Sequence, residues 1–260
     1  MSLSIRPITQ EDSEICGKIG FEAHKAISSA HGYPSEQPSV DFAVGLIRML
    51  LDMPTSWGVL AEGDGKVLGS IFLHVFPPSP VAAIGPLTVH PSAEGGGVGR
   101  DLMCAVLQEA KKRKLQQIRL VQSPSHIRSF VLYTKTGFVL REPLFLMQGS
   151  IPAGKKGNDN NSQRNKQSIR PATSDDIERC NKLCTSVHGF AREMELRQAI
   201  AQRVAAVVER DGEITGYSTG IGILCYSVGK TNDDLKALIG NAEVILGPGF
   251  FVLIPIWVWD

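Results

Sequence analysis

Apolar positions run almost unbroken from Val81 to Val89, then give way to His90-Pro91-Ser92-Ala93-Glu94 and to glycine at 95, 96, 97 and 99. From Val98 the period changes, and Leu102, Val106 and Leu107 share one face. This predicts a buried strand, a glycine-rich turn and a helix reaching about Lys114. Upstream, Ser4–Ile8 reads as a short strand, and Thr9 is placed to cap a helix beginning near Glu11 with Ile15, Ile19 and Ala23 on one side. Ala30–Pro38 reads as a loop, and a second helix runs from Val40 to Leu51, ending before Pro54. Trp57–Glu62 and Val67–Val75 flank Gly63-Asp64-Gly65-Lys66, a hairpin signal, and Pro77-Pro78-Ser79-Pro80 must break the sheet. Beyond the glycine turn, a strand at Ile118–Gln122, a helix at Ile127–Thr134 and a strand at Gly137–Met147 close the sheet. Pattern alone gives a mixed α/β unit.

A strand that feeds a glycine turn and a helix N-terminus makes an anion site. Glycine lets backbone approach a ligand, and the first helical N–H groups have no partner within the helix. A Walker loop would require Gly-Lys-Ser/Thr, which is absent, and the third glycine of the dinucleotide fingerprint falls on Arg100 or Leu102. The spacing Glu94-x-x-Gly97-x-Gly99, followed by Arg100, instead resembles the Gln/Arg-x-x-Gly-x-Gly/Ala acyl-CoA loop of the GNAT acyltransferase superfamily. Leu87-Thr88-Val89-His90-Pro91 resembles the end of that family's fourth strand, and Leu132-Tyr133-Thr134-Lys135-Thr136-Gly137-Phe138 its Leu-Tyr-x-x-x-Gly-Phe segment.

The resemblance implies a GNAT fold, a central mixed sheet flanked by helices, and direct acetyl transfer from acetyl-CoA to an amine with no metal. Gly95, Gly96, Gly97, Val98, Gly99 and Arg100 would hold the CoA pyrophosphate. Leu87, Thr88 and Val89 would bind the pantetheine arm and offer an oxyanion N–H, with Tyr133 as the acid that protonates the departing thiolate. Two positions depart from the family. Glu94 stands where Gln or Arg is usual, costing about 0.7 kcal/mol against a diphosphate charge about 6 Å away in water, with Arg100 as the expected counter-charge. His126 stands where many relatives place a cofactor-binding Asn. The first two helices and their loop would line the acceptor side, which makes His24, His31 and Tyr33 candidate contacts. Glu62, His74 and His90 are candidate bases, and none is assigned.

The second half repeats the first. Ser168-Ile169-Arg170-Pro171-Ala172-Thr173 answers Ser4-Ile5-Arg6-Pro7-Ile8-Thr9, and Asp176, Glu178, Cys180, Lys182 and His188 answer Asp12, Glu14, Cys16, Lys18 and His24. Val208–Gly216 resembles Ala61–Gly69, but Gly247-Pro248-Gly249 lacks the loop spacing. The whole thus resembles tandem GNAT proteins with a degenerate second copy: residues 1–148 a GNAT domain, 149–167 a polar linker, 168–260 an incomplete repeat. Phe250–Trp259 is apolar, shorter than the roughly 18–20 residues that span a bilayer, and reads as the end of a truncated or altered frame with an unpaired edge, or as a dimer contact. Cys180, Cys184 and His188 cannot share a zinc, since residues eight apart on a helix lie about 12 Å apart. They are expected on a buried face with Ile177, Leu183 and Val187.

A net charge of +1 leaves no footprint for nucleic acid or an anionic membrane. The N-terminus lacks a signal-like apolar region, and five cysteines without paired spacing suggest reduced thiols, so the expectation is a cytoplasmic protein. The expected function is an N-acetyltransferase acting on a small-molecule or peptide amine. The alternatives are a non-catalytic acyl-CoA-binding or regulatory module, and a nucleotide-binding protein using the same loop.

Overall fold

The computed structural model describes residues 3–32, 35, 37–123, 126–141, 143–149, 167–222, 225–241 and 250–255. The expected linker, apart from its two ends, lies outside them, as do Tyr33, Gly247-Pro248-Gly249 and residues 256–260. The chain divides into two compact units, Met1–Phe76 with Pro80–Leu140, and Pro77–Ser79 with Arg141–Asp260.

The first unit is built on a five-stranded sheet in the order β1-β2-β3-β4-β5. β1 (Leu3–Pro7), β2 (Ser56–Gly63), β3 (Lys66–Val75) and β4 (Val81–Val89) are antiparallel neighbours, and β5 (Gln117–Arg119) runs parallel to β4. The β2–β3 turn places Asp64 and Gly65 at φ 50° and 73°, the double positive-φ geometry that matches hairpin twist. Two helices, α1 (Ser13–His31) and α2 (Val40–Asp52), supply Cys16, Ile47 and Leu50 to a core with Leu60 and Phe72. α1 extends one residue past the expected loop start because Gly32, at φ 69°, is what terminates it. α3 (Val98–Lys112) supplies Leu102, Met103 and Val106 to a separate core with Ile71, Leu73, Ala82 and Ile84. α4 spans Ile127–Lys135.

One expectation is corrected. β6 (Leu144–Gly149) does not pair with β5; it pairs antiparallel with β11 (Phe250–Pro255) in a two-stranded ribbon of the second unit. The apolar pattern identified both strands but carries no information about which backbone a strand will pair with.

The second unit reproduces the first unit's opening in detail. β7 (Gln167–Pro171), α5 (Ile177–His188), α6 (Glu193–Ala201), β8 (Ala206–Arg210) and β9 (Glu213–Ser218) follow in the same order. Each unit has a register shift at the same place, between Ala61 and Glu62 and between Val208 and Glu209. Arg6 donates to Asp12 at 2.7 and 2.8 Å and to Glu62 at 2.8 and 3.0 Å. Arg170 donates to Asp176 at 2.7 and 2.8 Å and to Glu209 at 3.1 Å. Thr9 and Thr173 form matching capping boxes with these aspartates. Cys180 and Cys184 are fully buried with Ile177 and Leu183, but Val187 and His188 are exposed at the end of α5, so the expected buried face is shorter than its sequence pattern.

These networks set an acid dependence. Hydrogen bonds from Arg6, aided by those from Thr9, hold the Asp12 carboxyl down at about 2, and Arg170 holds Asp176 lower still. A carboxyl depressed in the fold stabilises above its unfolded value and loses that stability as pH falls through its folded value. Denaturant midpoints should therefore hold down to about pH 4 and then decline towards pH 2, with Asp12 alone accounting for about 2 kcal/mol. An Asp12→Asn variant should show a shallower decline.

Candidate active site

β4 and β5 pair only through Val81–Ala83 and Gln117–Arg119, after which the two strands part. The β5-facing edge of β4 is therefore open from Ile84 to Val89. The sequence expected β5 to reach Gln122; it stops at Arg119 with this divergence. His90 N–H bonds to Leu68 O at 2.8 Å, and the register pairs Gly69 with Val89 and Ser70 with Thr88. In an antiparallel ladder backbone groups alternate between facing the partner and facing away. Thr88 and His90 thus face β3, and the N–H and C=O of Leu87 and Val89 point into the gap. The Thr88 side chain lies on the other side of the matter: it is buried, with its hydroxyl 3.3 Å from Ser70, and does not line the open edge.

The gap leads to the glycine loop. Gly95 and Gly97 take φ 80° and 88°, and Gly97 is the N-cap of α3. Asp101 N–H makes the first bond into the loop, to Gly97 O at 3.0 Å. Among the described residues, no acceptor pairs with the N–H groups of Gly95, Gly97, Val98, Gly99 or Arg100, whereas Gly96 N–H bonds to Ala93 O at 3.3 Å. Five unpaired donors at the positive end of a helix are a ready cradle for a phosphate. Gly99 brings that helix start against its neighbours, since a Cβ there would lie 3.4 Å from Leu132 of α4 and 3.6 Å from Val89.

α4 forms the other wall. Tyr133 packs on the same core as Leu87 and Val89, edge-on to Phe138 with ring centroids 6.1 Å apart. Burial pushes its phenol above the usual value, and a hydrogen bond with Ser129 opposes that shift. His126, at the start of α4, has Nδ1 2.6 Å from Ser129 Oγ. Burial pushes this imidazole below its usual value, the Glu94 carboxylate opposes that, and His24 and His31 of α1 add to the lowering. Glu94 is ion-paired with Arg128 of α4, not with Arg100. The expected counter-charge was sought next to the loop, while the actual one comes from a helix far along the chain.

The candidate bases are already engaged. Glu62 accepts two bonds from Arg6. His74 Nε2 is 2.5 Å from Gly85 O, so that nitrogen carries the proton, and burial lowers the ring's basicity. His90 Nδ1 accepts from Ser92 N–H at 3.1 Å and its Nε2 lies 3.3 Å from Glu22. No cluster of three or more metal-ligating side chains occurs among the described residues, and no described helix is long and apolar enough to cross a membrane.

In the second unit, β10 (Ser227–Gly229) pairs with β9 as β4 does with β3, Gly229 facing Gly216 where Val89 faces Gly69. Only Lys230 and Thr231 then separate it from α7 (Asn232–Gly240). The start of α7 is filled by the chain itself. Asp234, almost fully buried, accepts from Arg210 at 2.7 Å, Thr215 at 2.8 Å and the Thr231 hydroxyl at 2.8 Å. A carboxylate sits where a phosphate would have to approach, and no glycine loop is present.

The model of the acetyltransferase (GNAT) family matches residues 23–138, covering the open β4 edge, the glycine loop and Tyr133. Mycothiol acetyltransferase from Amycolatopsis mediterranei is 36% identical over 90 residues, which are 32% of this chain and 30% of that protein. The enzyme of the same name from Cellulomonas flavigena is 32% identical over 105 residues, 37% of this chain and 30% of that protein. The chain thus matches under a third of the length of either relative. A putative acetyltransferase from Pyrococcus horikoshii shares the fold over 97% of this chain and 79% of its own, with a TM-score of 0.71 at 16% identity. Through residues 23–138, this chain belongs to the acetyltransferase (GNAT) family.

Proposed function

We propose that the first unit transfers an acetyl group from acetyl-CoA to a primary amine. The observation that carries this reading is the set of unpaired N–H groups at Gly95, Gly97, Val98, Gly99 and Arg100, at the end of the open β4 edge. The donors suit the CoA diphosphate, and the outward backbone of Leu87 and Val89 suits the pantetheine arm as an added half-strand. Glu94, paired with Arg128, no longer presents an uncompensated charge to the diphosphate.

The amine nitrogen attacks the thioester carbonyl carbon, and an outward N–H of β4 stabilises the oxyanion. The C–S bond then breaks, and the Tyr133 phenol gives its proton to the departing thiolate. A protonated phenol is available at neutral pH because burial raises its value. The nitrogen must arrive unprotonated, since Glu62, His74 and His90 are all committed elsewhere. We read the second unit as a degenerate copy without a donor site, because Asp234 fills the start of its α7.

Incubation of the full chain with acetyl-CoA and a panel of primary amines, read by mass spectrometry, tests this. Mycothiol-related amines belong in the panel because the matched relatives carry that name. An acetylated amine formed together with free CoA supports the reading. Tight acetyl-CoA binding with no acetylated product from any amine would favour the binding-module alternative.

A further inference from the structure

Three side chains of α4 stand in series. His126 Nδ1 lies 2.6 Å from Ser129 Oγ, and Ser129 hydrogen-bonds to the Tyr133 hydroxyl. The spacings of three and four residues place all three on one helix face. Only a serine or threonine can both accept a proton and pass one on at the middle position. His126 and Ser129 are half-buried, at the end of the row remote from the core that holds Tyr133.

We propose that His126 and Ser129 form a proton relay that restores the Tyr133 phenol after each transfer, an inference that rests on the acetyl-transfer reading above. When Tyr133 has protonated the thiolate, its phenolate takes the Ser129 hydroxyl proton. Ser129 takes the His126 Nδ1 proton, and His126 Nε2 takes one from solvent, leaving the ring neutral. The relay returns to its start when the imidazole exchanges its proton with water. The net change is one proton delivered from solvent to CoA. Ser129 and His126 are positioning residues acting through Tyr133. The groups facing His126 are Glu94 from the glycine loop, Arg128 from α4, and His24 and His31 from α1. Glu94 favours the charged ring, and the three cationic or titratable groups oppose it.

The test is an NMR titration of ring-labelled tyrosine in the full chain, with the Tyr133 signal assigned by its loss in Tyr133→Phe. In the wild type this signal should move twice, once below pH 6.5 as His126 titrates and once above pH 10 as the phenol ionises. In Ser129→Ala the first movement should vanish and the second shift to higher pH, while Ser129→Thr restores both. His126→Gln should remove only the first. On the amine panel, Ser129→Ala should lower turnover about tenfold, the loss of roughly one hydrogen bond to a charged group, with the acetyl-CoA KM unchanged. A Ser129→Ala protein that keeps both movements, or turns over like wild type, overturns the relay. If the wild type acetylates no amine, the acetyl-transfer reading fails instead, and the titration still decides whether the three groups are coupled.

Discussion

Tyr133→Phe should lower acetyl transfer by about a hundredfold or more while leaving acetyl-CoA affinity nearly unchanged, the range expected when a general acid is removed. The substitution keeps the ring that packs edge-on to Phe138 and against the core of β4. What it removes is the hydroxyl, whose partner is Ser129 on the exposed side of the helix. Folding should therefore be nearly unaffected, since a hydroxyl bonded to a half-buried serine contributes about 1 kcal/mol. Turnover across the amine panel, paired with a binding titration, separates the two effects. A matched fall in turnover and affinity would instead place Tyr133 in substrate binding.

Gly97→Val should weaken acetyl-CoA binding at least tenfold. Gly97 holds φ 88° at the N-cap of α3, in a region a β-branched residue enters only at a cost of about 1–3 kcal/mol. A Cβ at this position would meet nothing within 4 Å, so the effect comes from the backbone and not from a clash. Relieving the strain rotates the peptide planes on either side, and the N–H groups of Gly97 and Val98 leave their common direction. Gly65→Val is the control. It carries the same kind of strain at φ 73° in the β2–β3 turn and should lower the melting temperature without changing affinity for acetyl-CoA.

The legible parts of this fold were those carried by local pattern. The β4 run, the glycine turn and the period of α3 place the anion cradle because each is a property of consecutive residues. The second copy was legible for the same reason, as Arg6 with Asp12 and Arg170 with Asp176 recur at one spacing and form the same ion pairs. Contacts between distant segments were not legible. Arg128 answers Glu94 from a separate helix, and nothing near Glu94 in sequence marks it. The pairing of β6 with β11 joins strands about a hundred residues apart, and the outward direction of Leu87 and Val89 needed the β3 register. Ser129 carried no signal at all, since a serine inside a helix is ordinary until its two neighbours are seen. Asp234 was hidden for a related reason: its partners Arg210 and Thr215 lie on the preceding hairpin.

The central claim is that the β4 edge and the loop from Gly95 to Arg100 form an acyl-CoA site. Calorimetric titration of the full chain with acetyl-CoA, CoA, ATP and NAD in parallel tests it most directly. The account predicts one site for acetyl-CoA with micromolar affinity, weakened in Gly97→Val, and no competition from ATP or NAD. Folded protein that binds no acetyl-CoA, or that binds ATP or NAD at the same site instead, would contradict it.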